Sequence, residues 1–276
     1  MDVFSDVLCA LGEGPLWHPK RKQLFWFDIL GKRLFSKGAN NAGGGWQFDE
    51  YVSAAGWIDH DTLLMASETG LWRYTIGTVE RELVVPLEAD NPATRSNDGR
   101  ADPQGGFWIG TMGINAEPGA GAIYRYHRGT LRQLFDGITI SNAICFAPDG
   151  RTAYFTDTAT QIIQRVALDD DGWPAEAPQV FIDLRDDDLN PDGAVVDATG
   201  NLWNAQWGAG QVACYSPDGR LLRRLPVPAS QPTCPAFAGT TLYVTTAAKG
   251  CTAPEAGFTF AAEVGVVGQA EHQVIL

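Results

Sequence analysis

Hydrophobic positions in this chain alternate with polar ones in short runs, a spacing that places side chains on opposite faces of a strand. Residues 190–207 (NPDGAVVDATGNLWNAQW) show the unit. A Pro-Asp-Gly turn opens it, with Asp192 where a strand begins. Ala194, Val196 and Ala198 then alternate with Val195, Asp197 and Thr199, and a Gly200-Asn201 turn leads into a second strand through Leu202, Trp203 and Trp207. Gly and Asn tolerate the positive φ of tight hairpin turns. The pattern predicts a hairpin with a carboxylate at its mouth.

A turn followed by a short apolar strand recurs at 22–28 (KQLFWFD), 61–65 (DTLLM), 104–110 (QGGFWIG), 149–155 (DGRTAYF), 199–203 (TGNLW) and 239–244 (GTTLYV). With Leu24, Leu63, Phe107, Ala153, Leu202 and Leu242 as equivalents, the units lie 39 to 49 residues apart. That is the length of a four-strand propeller blade. Residues 70–74 (GLWRY), 121–126 (GAIYRY) and 210–215 (GQVACY) read as third strands, and 131–135 and 221–225 as fourth strands. The predicted fold is all-β: one six-bladed β-propeller domain over 1–276, with four antiparallel strands per blade. An N-terminal strand from about Val3 to Cys9 closes the ring beside the C-terminal strands, which removes exposed sheet edges. The longest connections, about Ala39 to Gly45 and Gly113 to Ala120, are expected to be loops without structure of their own.

Composition agrees and narrows the partners. Nine Trp, 13 Phe and 31 Gly suit many short strands with glycine-rich turns. The net charge of −13, without a basic stripe, argues against nucleic acid. No apolar run approaches membrane-spanning length. Cys9, Cys145, Cys214, Cys234 and Cys251 are scattered, odd in number and without a CxxC pair, which predicts free thiols rather than disulfides or a thiolate zinc site. The start, Met1 to Asp6, lacks the basic and apolar regions of a signal peptide. The expectation is a cytoplasmic monomer acting on a small molecule.

The candidate chemistry lies upstream of the aromatic strands. Glu13, Asn97, Asn142 and Asp192 stand eleven to thirteen residues ahead of Trp26, Trp108, Tyr154 and Trp203. The other two repeats offer Ser53 or its neighbours and Pro232. Equivalent ends of propeller inner strands converge on one mouth, so these four side chains are expected to meet. Two carboxylates and two amide carbonyls make an all-oxygen set suited to Ca²⁺, Mg²⁺ or Mn²⁺. The alternative is that each only caps a turn. Ser96 and Ser141 have no His at a spacing that suggests a triad. Asp28 and Asp157 both end second strands, which predicts a repeated structural hydrogen bond. Trp57 and Trp207 belong either to the mouth or to blade packing.

At these residues the chain resembles the SMP-30/gluconolactonase/regucalcin-like family of six-bladed propeller lactonases. The motifs are 12–17 (GEGPLW), 95–102 (RSNDGRAD), 107–112 (FWIGTM), Ser141-Asn142 followed by 148–150 (PDG), and 191–193 (PDG). They span about Leu11 to Phe258. The resemblance implies metal-dependent hydrolysis of a sugar (aldono) lactone to the aldonic acid in sugar catabolism. It implies Glu13, Asn142 and Asp192 as direct ligands of one divalent ion, with Ca²⁺ the first candidate and Mg²⁺, Mn²⁺, Zn²⁺ or Fe²⁺ also compatible. Asn97 matches a residue that binds the metal or its water and reaches substrate. Arg95 matches a substrate-binding arginine, with an ion pair to Asp98 or Asp102 as the alternative reading. Glu117 matches a position that contacts sugar hydroxyls. Asp192 is the candidate general base. Ala143 departs from the family's usual Gly, and its methyl is expected to narrow the backbone and alter the pocket. A phosphotriesterase or esterase on the same site, and a non-catalytic calcium-binding propeller, are the alternative functions.

Overall fold

In the computed structural model, which describes residues 1–38 and 42–276, each of the six recurrent runs forms the second strand of a four-stranded antiparallel sheet. The six sheets are the blades of a β-propeller. The inner strands are Gly12–His18, Val52–Trp57, Thr94–Ala101, Ser141–Phe146, Asn190–Val196 and Pro232–Ala238, in blades 1 to 6. The expected third and fourth strands occupy those places. The only helical element among the described residues is a 3-10 turn, Thr158–Thr160.

The alternation explains the layering. Trp26, Trp108 and Trp203 are almost fully buried between blades. Removing a tryptophan from water contributes roughly 4–6 kcal/mol before the entropy of ordering it. The N-terminal strand, Asp2–Ser5, pairs with Thr259–Glu263 and so completes blade 6. It is shorter than the sequence implied, because residues 6–9 turn away and Cys9 N–H bonds to Gly257 O instead.

One connection is corrected. The expected loop from about Ala39 to Gly45 lies outside the described residues at 39–41, and its later part is not a loop. Gly43–Gln47 is the outer strand of blade 1, paired with Arg33–Gly38. Glycine is a poor strand former alone, but its backbone pairs as well as any. Here a Cβ on Gly43 would stand 2.0 Å from Ser36 O.

All six inner strands carry a bulge. Their register against the second strand slips between Glu13 and Leu16, Val52 and Ala54, Ser96 and Gly99, Asn142 and Cys145, Pro191 and Ala194, and Pro232 and Pro235. A bulge re-aims side chains. In blades 1 and 4 the residue after the bulge's first member is left-handed: Gly14 at φ 53° and Ala143 at φ 57°. Ala143 is fully buried, in a cluster with Cys145 and Ala194, so its methyl fills the core between blades 4 and 5 and does not line the cavity described below. Blade 1 has no such room, since a Cβ on Gly14 would lie 2.2 Å from Ser53 O. Gly14→Ala should therefore destabilise the fold by about 2–3 kcal/mol, combining left-handed strain with overpacking. Urea denaturation checks this, and an unchanged midpoint would contradict it.

The chain ends as a strap. Residues 264–276 cross the face where the inner strands finish. Gly268 N–H bonds to Gly239 O, Ala198 N–H to Val267 O, Val274 N–H to Trp57 O and Ile275 N–H to Gly105 O. Trp57 Nε1 donates to Glu271 O at 3.0 Å. Trp57 thus belongs to this face and not to the opposite mouth, because it ends its inner strand while the candidate residues stand near the start of theirs.

Candidate active site at the inner-strand mouth

Glu13, Asn97, Asn142 and Asp192 come together around one cavity of about 530 Å³, within the usual range for small-molecule sites. The bulges decide how they meet. Glu13 and Asn142 are the last paired residues before the slip, while Asn97 and Asp192 are the first unpaired ones. Each of these four slips sets three inner-strand residues against two, so the ligands differ by one place in where they stand relative to it.

Each of the four has a partner two positions earlier on the same cavity wall: Leu11, Arg95, Ile140 and Asn190. Strand alternation requires this, since residues i and i+2 share a face. The sequence motifs point to Arg95 but not to Leu11, Ile140 or Asn190, though the same spacing marks them. Trp207, Met112, Thr158, Ala159, Lys249 and Gly250 complete the lining.

The two amides are held in fixed orientations. Arg95 Nη1 donates to Asn97 Oδ1 at 2.8 Å and to Ser96 O at 2.9 Å. Asn97 Nδ2 donates to Ser141 O at 2.8 Å and to Asn142 Oδ1 at 3.2 Å. Asn142 Nδ2 donates to Thr158 Oγ1 at 2.9 Å. Arg95 makes neither of the ion pairs open to it: Asp102 pairs with Arg125, and Asp98 accepts from Ile144 N–H. Its Nε is buried without a partner.

The carboxylates are the costly part. Glu13 and Asp192 are 4% and 5% exposed. Gly14 N–H donates to Glu13 at 3.0 Å, and among the described residues neither carboxylate forms an ion pair with Lys or Arg. Burial, and then the charge of Asp98, push the Glu13 carboxyl up to about 8. Burial, and then the charges of Glu13 and Asp98, hold Asp192 well above the usual carboxylate range. Two like charges buried together need a cation or a proton. With two amide side chains on the wall of the same cavity, the donor set fits a hard divalent ion.

Glu117 is placed elsewhere. It is exposed in the loop after Gly113, does not line the cavity, and accepts from Asn115 N–H and Nδ2 at 3.0 and 2.9 Å. Asp28 and Asp157 do make a repeated structural bond. Asp28 accepts from Leu11 and Gly31 N–H, and Asp157 from Ile140 and Ala159 N–H, so each fixes the backbone leading into Glu13 or Asn142. The cysteines are free, and four are buried. No helix among the described residues is long and apolar enough to cross a membrane.

Comparison with known proteins places this architecture. Residues 11–248 match the family model described as SMP-30/Gluconolactonase/LRE-like region. The chain is 35% identical to the L-arabinolactonase of Azospirillum brasilense, over 97% of this chain and 93% of that protein. It is 32% identical to the 6-deoxy-6-sulfogluconolactonase of Pseudomonas putida, covering 95% and 94% of the two chains. The solved structure of a calcium-binding protein, regucalcin, from Agrobacterium tumefaciens str. C58 superposes with a TM-score of 0.97 at 39% identity, covering 99% of this chain and 97% of the other. With the family model matched across all six inner strands, this chain belongs to the SMP-30/gluconolactonase/LRE-like family.

Proposed function

We propose that this protein hydrolyses a sugar (aldono) lactone to the aldonic acid, using one divalent ion held by Glu13, Asn142, Asp192 and Asn97, with Ca²⁺ the first candidate. The observation that carries the reading is the pair of buried, unpaired carboxylates facing two oriented amides in one cavity. Relatives named as lactonases, and one named as calcium-binding, support it. When bound, such an ion would supply Lewis acidity at the lactone carbonyl. Asp192 takes the proton of the attacking water. Arg95 anchors Asn97 with one nitrogen, and its remaining fork is free for ring or hydroxyl oxygens. For Glu117 to reach sugar hydroxyls, its carboxylate must leave Asn115. The chain would act as a single-domain cytoplasmic monomer in sugar catabolism.

One observation favours a second reading. Leu11, Met112, Ile140 and Trp207 make part of the cavity wall apolar, which suits an esterase or phosphotriesterase acting on the same ion. A panel of five- and six-membered aldonolactones, assayed before and after chelation, separates the two. Lactone turnover lost on chelation and restored by a divalent ion is the expected result. Turnover that survives chelation would remove the metal from the reaction. Inertness on every lactone with activity on phosphotriesters would select the second reading.

A further inference from the structure

The loop between the second and third strands of blade 4 reaches back into the cavity through one side chain. Thr158 opens the 3-10 turn. Its backbone N–H bonds to Ile140 O at 2.9 Å, and Asp157 accepts from Thr139, Ile140 and Ala159 N–H, so the turn is tied to the stretch that leads into Asn142. The Thr158 hydroxyl makes two bonds that join different blades. It donates to Pro191 O at 2.7 Å and accepts from Asn142 Nδ2 at 2.9 Å. Pro191 directly precedes Asp192, so one hydroxyl touches the amide of one candidate ligand and the backbone beside another.

We infer that Thr158 is a positioning residue that fixes the donor orientation of the cation site, and this rests on the metal reading above. A carbonyl can only accept, so Pro191 O commits the single hydroxyl proton of Thr158. The hydroxyl oxygen is then an acceptor toward Asn142, and only the amide NH₂ can face it. Asn142 Oδ1 is thereby turned the other way, toward Asn97, with Asn142 on the cavity wall. Without the hydroxyl, only the longer bond from Asn97 Nδ2, at 3.2 Å, holds the Asn142 amide against the flipped rotamer that aims N–H at the cation. The same bond links the inner strands of blades 4 and 5 at the height of their ligands. Residues that orient metal ligands from behind set affinity strongly.

The test is calorimetric titration of the full chain with Ca²⁺ and with Mn²⁺, comparing wild type with Thr158→Val and Thr158→Ser. Valine keeps the shape and loses the hydroxyl; serine keeps the hydroxyl and loses the methyl. Thr158→Val should weaken cation binding by about 10- to 100-fold, while Thr158→Ser stays within about threefold of wild type. Cooperative unfolding of each metal-free variant confirms that it is folded. Wild-type-like binding by Thr158→Val would overturn the inference and leave the metal reading standing. Equal weakening in both variants would assign Thr158 to packing and also overturn it. Failure of the wild type to bind any divalent ion would end both.

Discussion

Asp192→Asn is expected to lower kcat/KM for the lactone at least about 10³-fold, as removal of a general base that also serves as a charged ligand should. Asparagine has nearly the same shape, and the adjoining backbone is held independently, since Asn204 Nδ2 donates to both Asp192 O and Gly193 O. The cavity should therefore survive. The same change should stabilise the metal-free protein. Asp192 is buried, and burial together with the charges of Glu13 and Asp98 makes it harder to ionise. Replacing one charge with a neutral amide removes that repulsion and part of the desolvation cost, an expected gain of about 1–2 kcal/mol. Loss of activity with a raised melting temperature is the signature of a site residue kept for function against stability. Turnover within tenfold of wild type would exclude Asp192 from the chemistry, and an unchanged melting temperature would contradict the electrostatic account.

Glu271→Ala should have the largest effect on stability, a loss of about 3–5 kcal/mol, because it strands a buried guanidinium. Arg100 sits in the inner strand of blade 3, 8% exposed, and its Nη1 pairs with Glu271 from the C-terminal strap. Its other contacts, to Ala194 O and Pro235 O at 3.5 and 3.4 Å, are long, and its Nε has no partner. Asp98 is a nearby negative charge, and its carboxyl is pushed up to about 6 by burial. Guanidinium chloride denaturation of Glu271→Ala, Arg100→Met and the double variant Arg100→Met/Glu271→Leu forms the test. The double variant should be far less destabilised than Glu271→Ala, because no charge is left unpaired. Additive losses would show that the two residues are not coupled. Since the strap crosses the face opposite the cavity, lactone turnover by folded Glu271→Ala should stay close to that of wild type.

Both predictions depend on contacts of very different legibility. Alternation and turn spacing made the six blades readable, because strand periodicity and hairpin turns are local properties of a few neighbouring residues. The same periodicity carries the candidate ligands, and two residues upstream it also marks Leu11, Ile140 and Asn190. The outer strand Gly43–Gln47 escaped because its glycines have no side-chain pattern, and only pairing with Arg33–Gly38 makes them a strand. Glu117 reads from the sequence as a substrate contact, yet it lies exposed against Asn115 and off the cavity wall, because loop direction has no periodicity to fix it.

By itself, then, the order of residues determined the number of blades, the closing strand, and four oxygen-bearing side chains at almost the same place in four repeats. Only the tertiary structure decided how those side chains are aimed. The bulges interrupt each strand at its ligand, Arg95 and Thr158 set the two amides, and burial leaves Glu13 and Asp192 without a basic partner. It also decided that Glu271 meets Arg100 across 171 residues of chain. The reason is the same in each case. Periodicity specifies which face a side chain takes, whereas charge pairing and hydrogen-bond direction depend on groups brought together from distant parts of the chain.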